Sequence, residues 1–227
     1  MIGELYERAL GNAQDYAIPT SSELGFTGKP HSPLYLDDRS GVQIEDASGT
    51  RRPLPVKDWL RLRPGDEGLL SRSAGPVLDV GSGPGRLTVT LTERGVLALG
   101  IDIAPTAVAM TVAAGGPALV GDVFAQVPGA GLWRTILLAD GNIGIGGDPA
   151  MLLRRLAQLL APNGRILAEV NAPGVPSRRE QVRLRSGETV GPWFPWAQVA
   201  ADDLPQCGLT TSEHWEEANR CFVALTP

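Results

Sequence analysis

Gly81, Gly83 and Gly85 stand at every second position between the apolar run VLDV and the segment RLTVT. A strand that turns this sharply into a helix, with no Cβ atoms at the turn, lets backbone press against a ligand. Asp79 lies near the strand's end and Ser82 inside the turn, and a second acid, Asp102, follows 17 positions after Gly85 where the run ALGID ends. A carboxylate at that place hydrogen-bonds ribose hydroxyls. The combination reads as a site for an adenosine-containing cofactor. Spacing excludes two common versions of such a site. A dinucleotide loop is G-x-G-x-x-G, whereas Arg86 occupies the third glycine's place; a phosphate-holding P-loop needs Gly-Lys-Ser/Thr, which does not follow.

Four more segments follow: IDIAP from Ile101, GDVF (Gly121–Phe124), LLADGN (Leu137–Asn142) and LLAPNGRILAEV (Leu159–Val170). Taken with the glycine turn, these five in order over residues 75–172 resemble the motifs of class I S-adenosylmethionine-dependent methyltransferases. The resemblance implies an α/β fold: a seven-stranded, mostly parallel sheet in order 3-2-1-4-5-7-6, with the seventh strand antiparallel and helices on both faces. It also implies roles. Asp79 would hold the cofactor's amino group, directly or through water. Gly81, Ser82, Gly83 and Gly85 would pass under its methionine and ribose. Asp102, with Ile103 beside it, would take the ribose hydroxyls, Asp122 and Val123 would meet the adenine, and Asp140 would also engage the cofactor.

Candidate catalytic residues are fewer. A sulfonium methyl is already activated, so alignment of the acceptor carries most of the work, and a base is needed only for an unreactive acceptor such as an alcohol. His31, in the N-terminal segment expected to fold over the cofactor, is the candidate base. Asn142 is the candidate orienting group, in a run (ADGNIGIGGDP, 139–149) whose Gly141, Gly144, Gly146 and Gly147 would let backbone approach the acceptor. Tyr6 and Tyr16 stand in the same N-terminal segment as His31, either placed to touch the cofactor. Phe194 and Trp196, with Trp193, would form an apolar pocket wall or anchor an appended element. Arg178, Arg179, Arg183 and Arg185 would recognise an acidic molecule or line a solvated hairpin. Asp140, Glu169 and Asn171 only loosely match a catechol-type metal site, and no metal is expected.

The elements that must hold these residues fall into three zones. Residues 1–74 form a lid: an amphipathic helix carrying Ile2, Leu5, Tyr6, Ala9 and Leu10, short strands at Leu34–Leu36, Val42–Glu45 and Arg51–Pro55, and short helices at Val56–Leu62 and Asp66–Arg72. Residues 75–227 are the core, in which apolar strands alternate with helices, the pattern of a parallel sheet covered on both faces. Within it, residues 171–206 are an insertion after the fifth strand, read as a hairpin (Gln181–Arg185 and Glu188–Gly191) and a helix over Phe194–Leu204. The terminal pair Leu209–Glu216 and Arg220–Leu225 closes the sheet.

Composition bounds the rest. In 227 residues, 43% hydrophobic and 20% charged, there is room for one α/β unit with elaborations. A net charge of −5 opposes an extended nucleic-acid surface, and the Asn/Asp-Pro-Pro-Tyr/Phe motif of amino-methylating nucleic-acid enzymes is absent. Cys207 and Cys221 make no disulfide framework. Charges recur through the first 20 residues and no apolar run reaches membrane-spanning length, so a cytoplasmic protein without membrane contact is expected. The implied function is methyl transfer to a small-molecule acceptor. The alternatives are a protein of the same fold using the cofactor for other chemistry, and an NAD-dependent oxidoreductase, which Arg86 opposes.

Overall fold

The computed structural model describes residues 3–11, 41–205 and 207–227. In chain order its elements are α1 (Gly3–Gly11), β1 (Val42–Asp46), β2 (Arg51–Pro53), α2 (Val56–Trp59), α3 (Asp66–Arg72), β3 (Val77–Val80), α4 (Arg86–Glu93), β4 (Ala98–Asp102), α5 (Pro105–Ala113) and β5 (Ala118–Val120). They continue with β6 (Trp133–Leu138), α6 (Pro149–Leu159), β7 (Leu160–Val170), β8 (Arg178–Ser186), β9 (Thr189–Val190), β10 (Phe194–Gln198), β11 (Thr210–Glu217) and β12 (Arg220–Thr226). Leu34–Leu36, His31 and Tyr16 lie outside the described residues.

The core sheet runs β5-β4-β3-β6-β7-β12-β11, which is the expected order 3-2-1-4-5-7-6. Its first five strands are parallel, and β12 pairs antiparallel with β7. The period-two alternation of side chains explains how both faces are covered. Leu78, Val80, Ile136 and Leu138 enter one apolar cluster with the stripe Leu152, Leu153, Leu156 and Leu159 of α6. Val77 and Leu137 point the other way, to Leu69 of α3, Leu87 and Leu91 of α4, and Phe222. Truncating one of these fully buried leucines to alanine costs about 2–5 kcal/mol. The Asp148 carboxylate caps α6, accepting from the Met151 N–H at 3.2 Å, and Pro149 starts the helix where its missing N–H costs nothing.

A second, antiparallel sheet runs β10-β8-β1-β2, with β9 paired to β8. The sequence separates its two halves widely, yet Ile44 of β1 stands opposite Leu184 of β8 and Asp46 opposite Val182. Val42 and Leu184 pack on Leu5, Ala9 and Leu10 of α1, so the inner face of this sheet leans on the N-terminal helix.

The helix expected over Phe194–Leu204 is not formed. Phe194–Gln198 is a strand, paired with β8 in the register Phe194↔Val182 and Trp196↔Glu180. Pro195 removes a helical donor, while the aromatics at alternate positions both face inward, so pairing with an available sheet edge outweighs the weak helical preference of the segment.

Candidate active site

Between the carboxyl ends of the core strands and the inner face of the second sheet lies a cavity of about 690 Å³, within the roughly 300–1,000 Å³ range of small-molecule sites. The core wall is built first by β3, which delivers the chain into the glycine turn. Gly81, Gly83 and Gly85 all have positive φ. A Cβ at Gly81 would come within 2.7 Å of Asn142 Nδ2, and one at Gly85 within 2.4 Å of Thr111. At Gly83 a Cβ would meet only the Tyr6 hydroxyl, at 3.9 Å, so this glycine leaves room on the cavity side of the loop.

Asp102, at the end of β4, ties that loop down. One carboxylate oxygen accepts from the Gly83 N–H and the other from the Ala104 N–H, both at 2.9 Å. Burial pushes its carboxyl above the usual range, and the two N–H bonds oppose that. Asp79 is fully enclosed beneath the loop, where Thr88 Oγ1 donates to it at 2.7 Å, and burial pushes its carboxyl up to about 6. It does not border the cavity; Ser82, Asp102, Ile103, Asp122, Val123, Asp140 and Asn142 do. Ser82 Oγ is buried without a hydrogen-bond partner among the described residues. The 122–125 turn is held from α6, Arg155 donating to the Val123 and Ala125 carbonyls at 3.0 and 2.6 Å.

Asn142 is first a clamp. Its amide nitrogen donates to the Val80 and Gly81 carbonyls at 3.0 and 2.9 Å, holding the glycine turn against the end of β6, and the residue borders the cavity. Of the glycines in this run, Gly141 and Gly146 border the cavity, whereas Gly144 and Gly147 press against the second sheet. A Cβ at Gly144 would lie 1.9 Å from the Ala197 carbonyl oxygen, at Gly147 2.6 Å from Pro195, and at Gly146 2.8 Å from the Phe124 ring. Gly144 and Gly147 admit β10, which bridges to Ile145 through Trp196, while Gly146 admits the Phe124 ring. The glycine-rich run is the seam between the two sheets.

Asp140 has positive φ and sits at the centre of a charge network that sequence reasoning missed. Arg86 donates to its carboxylate at 2.5 Å and Arg63 at 2.9 Å, while its N–H donates to Glu169 at 2.7 Å. Arg86 also grips Asp66 at 2.8 Å, and Arg220 joins Asp66 (2.7 Å) to Glu169 (2.8 Å). Three guanidinium groups thus balance three carboxylates. Burial opposes ionisation of Asp66, yet the hydrogen bonds from Arg86 and Arg220 overcome it and hold its carboxyl below the usual range. Burial likewise works against the charge of Arg86, and Asp66 and Asp140 outweigh it, keeping the guanidinium protonated. One signal was available in the sequence: an arginine at the first position of a helix faces the positive end of the dipole and therefore needs acids nearby.

The opposite wall is apolar. Ile44, Val182, Leu184, Phe194 and Trp196 of the second sheet face the cavity with Trp59 and Tyr6. Tyr6 packs edge-on against Trp59 at 6.0 Å, and burial, with the charges of Asp102, Glu7 and Asp140, pushes its phenol well above the ordinary value. Trp193 is exposed, with Arg183 over its ring at 4.5 Å. The arginines of β8 meet nearby acids: Arg183 bonds Glu45 at 2.8 Å and Arg179 meets Asp148 at 3.1 Å. Among the described residues no group of histidine, cysteine and carboxylate side chains is placed to hold a metal, and no helix is long and apolar enough to cross a membrane.

Comparison with known proteins gives this arrangement a family. The profile of the methyltransferase domain matches residues 52–201, about two thirds of the chain. Among solved structures, an S-adenosylmethionine-dependent methyltransferase from Bacteroides fragilis, in complex with S-adenosylhomocysteine, is 25% identical; the match covers 82% of this chain and 86% of that one with a TM-score of 0.67. The CcbJ methyltransferase from Streptomyces caelestis shares the fold at 16% identity (70% and 87% covered, TM-score 0.52). So does the Burkholderia thailandensis 1,6-didemethyltoxoflavin-N1-methyltransferase, solved with its substrate and S-adenosylhomocysteine, at 19% identity (70% and 72% covered, TM-score 0.50). No curated protein matches at a significant level. The chain belongs to the methyltransferase domain family.

Proposed function

We infer that this member of the family transfers a methyl group from S-adenosylmethionine to a small-molecule acceptor held between the core sheet and the second sheet. The observation that carries the reading is Asp102 beside the open glycine turn. Each of its oxygens takes one backbone N–H and retains capacity for a further bond at the cavity surface, which suits two adjacent ribose hydroxyls. The residues present fit the cofactor in other respects. Gly83 carries no Cβ on the cavity side, and Ser82 offers a buried hydroxyl without a partner among the described residues. Ile103, Asp122 and Val123 would border the adenine, Asp140 and Asn142 the methionine end. Asp79, off the cavity wall, would act on the cofactor's amino group through the loop or a bridging water.

When bound, the cofactor supplies a methyl group already activated on sulfur, which passes to the acceptor's nucleophile as S-adenosylhomocysteine forms. The protein's part is alignment. The Asn142 clamp fixes the turn under the reacting centre, and its free oxygen would orient an N–H or O–H of the acceptor. The aromatic wall would exclude water and set the acceptor's angle; proximity of this kind supplies several kcal/mol. His31 is the candidate base for an acceptor that arrives protonated.

Titration calorimetry tests the reading. Binding of S-adenosylhomocysteine with no response to NAD is expected, and binding of NAD alone would reject it. Incubation with methyl-labelled cofactor and an acceptor library should then place label in a small molecule. A product without label would assign the fold to other chemistry.

A further inference from the structure

One cation at the cavity differs from the rest. Arg63 and Arg86 are hydrogen-bonded to carboxylates at 2.5–2.9 Å. Arg52 lies on β2 directly across from Ile44, on the inward face, and borders the cavity. Its guanidinium makes no hydrogen bond among the described residues; the nearest carboxylate, Glu180, stands 3.7 Å away and already accepts from Gln198 at 3.1 Å. Beside it the wall is apolar and aromatic: Phe194 and Trp196 meet edge to face at 6.5 Å, and with Ile44 and Leu184 they form a surface suited to a flat ring. A guanidinium with unused donors at the rim of an apolar slot is a fork for a carboxylate or similar planar anion.

We propose that the methyl acceptor is an aromatic small molecule carrying an anionic group, its ring against Phe194 and Trp196 and its anion on Arg52. This rests on the cofactor reading above, because the acceptor must share the cavity with the bound nucleoside. The polar core wall is taken by the cofactor and by the balanced network around Asp140. The second-sheet wall therefore chooses the acceptor by shape and by Arg52, whose guanidinium makes no hydrogen bond among the described residues.

The test uses protein saturated with S-adenosylhomocysteine and three probes measured by calorimetry: naphthoate, the neutral naphthylmethanol, and the saturated decahydronaphthoate. Naphthoate should bind at least tenfold more tightly than either of the others. Arg52→Gln should remove its advantage over the alcohol, and Arg52→Lys should restore part of it. Trp196→Leu should weaken naphthoate and leave decahydronaphthoate nearly unchanged. Equal binding of naphthoate and the alcohol, no binding of any probe, or an advantage that survives Arg52→Gln would overturn the anion assignment. Equal loss for both carboxylates in Trp196→Leu would overturn the flat ring. Failure to saturate with S-adenosylhomocysteine would instead bring down the cofactor reading itself, so the two are separable.

Discussion

The two walls of the cavity are built by different physics. On the core side Asp102 is fixed by the Gly83 and Ala104 N–H groups, Asn142 onto the Val80 and Gly81 carbonyls, and Asp140 between Arg63 and Arg86, with the Ser82 hydroxyl left without a partner among the described residues. On the lid side the surface is made of aliphatic and aromatic side chains, with one arginine loosely tied. A preorganised polar cradle suits one ligand of constant structure, because buried polar groups penalise any partner that leaves them unpaired. An apolar wall constrains shape and area more than identity. The difference teaches that a wall of fixed polar groups ties a cavity to one partner, while an apolar wall tolerates a change of occupant.

The comparison breaks most severely at Arg86. Arg86→Leu removes one guanidinium from buried Asp66, which keeps Arg220, and from half-buried Asp140, which keeps Arg63, and should cost about 3–5 kcal/mol in denaturant unfolding; a loss under about 1 kcal/mol would show that the remaining arginines or water compensate. Asp79 comes next, through pH. Its native carboxyl titrates near 6 against an ordinary value of 3.8, so the native form holds its proton more tightly than the unfolded chain. The sign follows: Asp79 weakens stability as pH rises from about 4 to about 6, and the penalty is complete above that. Relative to Asp79→Asn, the wild-type protein should therefore lose about 3 kcal/mol across this window, read from unfolding curves at several pH values. A flat difference would mean that the group is solvated.

Asp102→Asn keeps the shape and removes the charge. It should weaken S-adenosylhomocysteine by about 1.5–3 kcal/mol, one to two decades in Kd by calorimetry. Unchanged affinity would detach the cradle from the cofactor. Gly144→Ala attacks the seam, forcing a methyl into the Ala197 carbonyl, and overpacking of this kind costs about 1–3 kcal/mol. Turnover should fall while affinity for S-adenosylhomocysteine holds, which separates lid from cradle; equal losses in both would show that the walls move together. The smallest effect belongs to Arg179→Ala on the outside of the lid, where an ion pair with exposed side chains is worth under about 1 kcal/mol.

The cradle was the more legible half. Glycine spacing, strand-end acids and the helix-opening Pro105 and Asp148–Pro149 are local features, so the core strands and the residues at their ends are legible in the sequence, while the strand order comes from the family resemblance. The second sheet is legible only in pieces. Strands at Val42–Glu45 and Gln181–Arg185 were expected, but not that they pair, and Phe194–Gln198 was assigned to the wrong element. Gly144 and Gly147 lie against β10, a neighbour that their spacing does not specify. Arg86 was noticed only as an obstacle to another motif, although it anchors the network beneath Asp140.

Periodicity and turn chemistry act over a few residues through backbone sterics, and on those the amino-acid order alone determined the α/β core and its glycine turn. Which distant strand completes a sheet, and which acids compensate a buried guanidinium, depends on groups that meet only when the chain is compact. Desolvation makes those meetings decisive, since a charge or a strand edge without its partner is costly once water is gone. That is why the tertiary structure, not the local pattern, decided the second sheet, the charge network and the shape of the apolar wall.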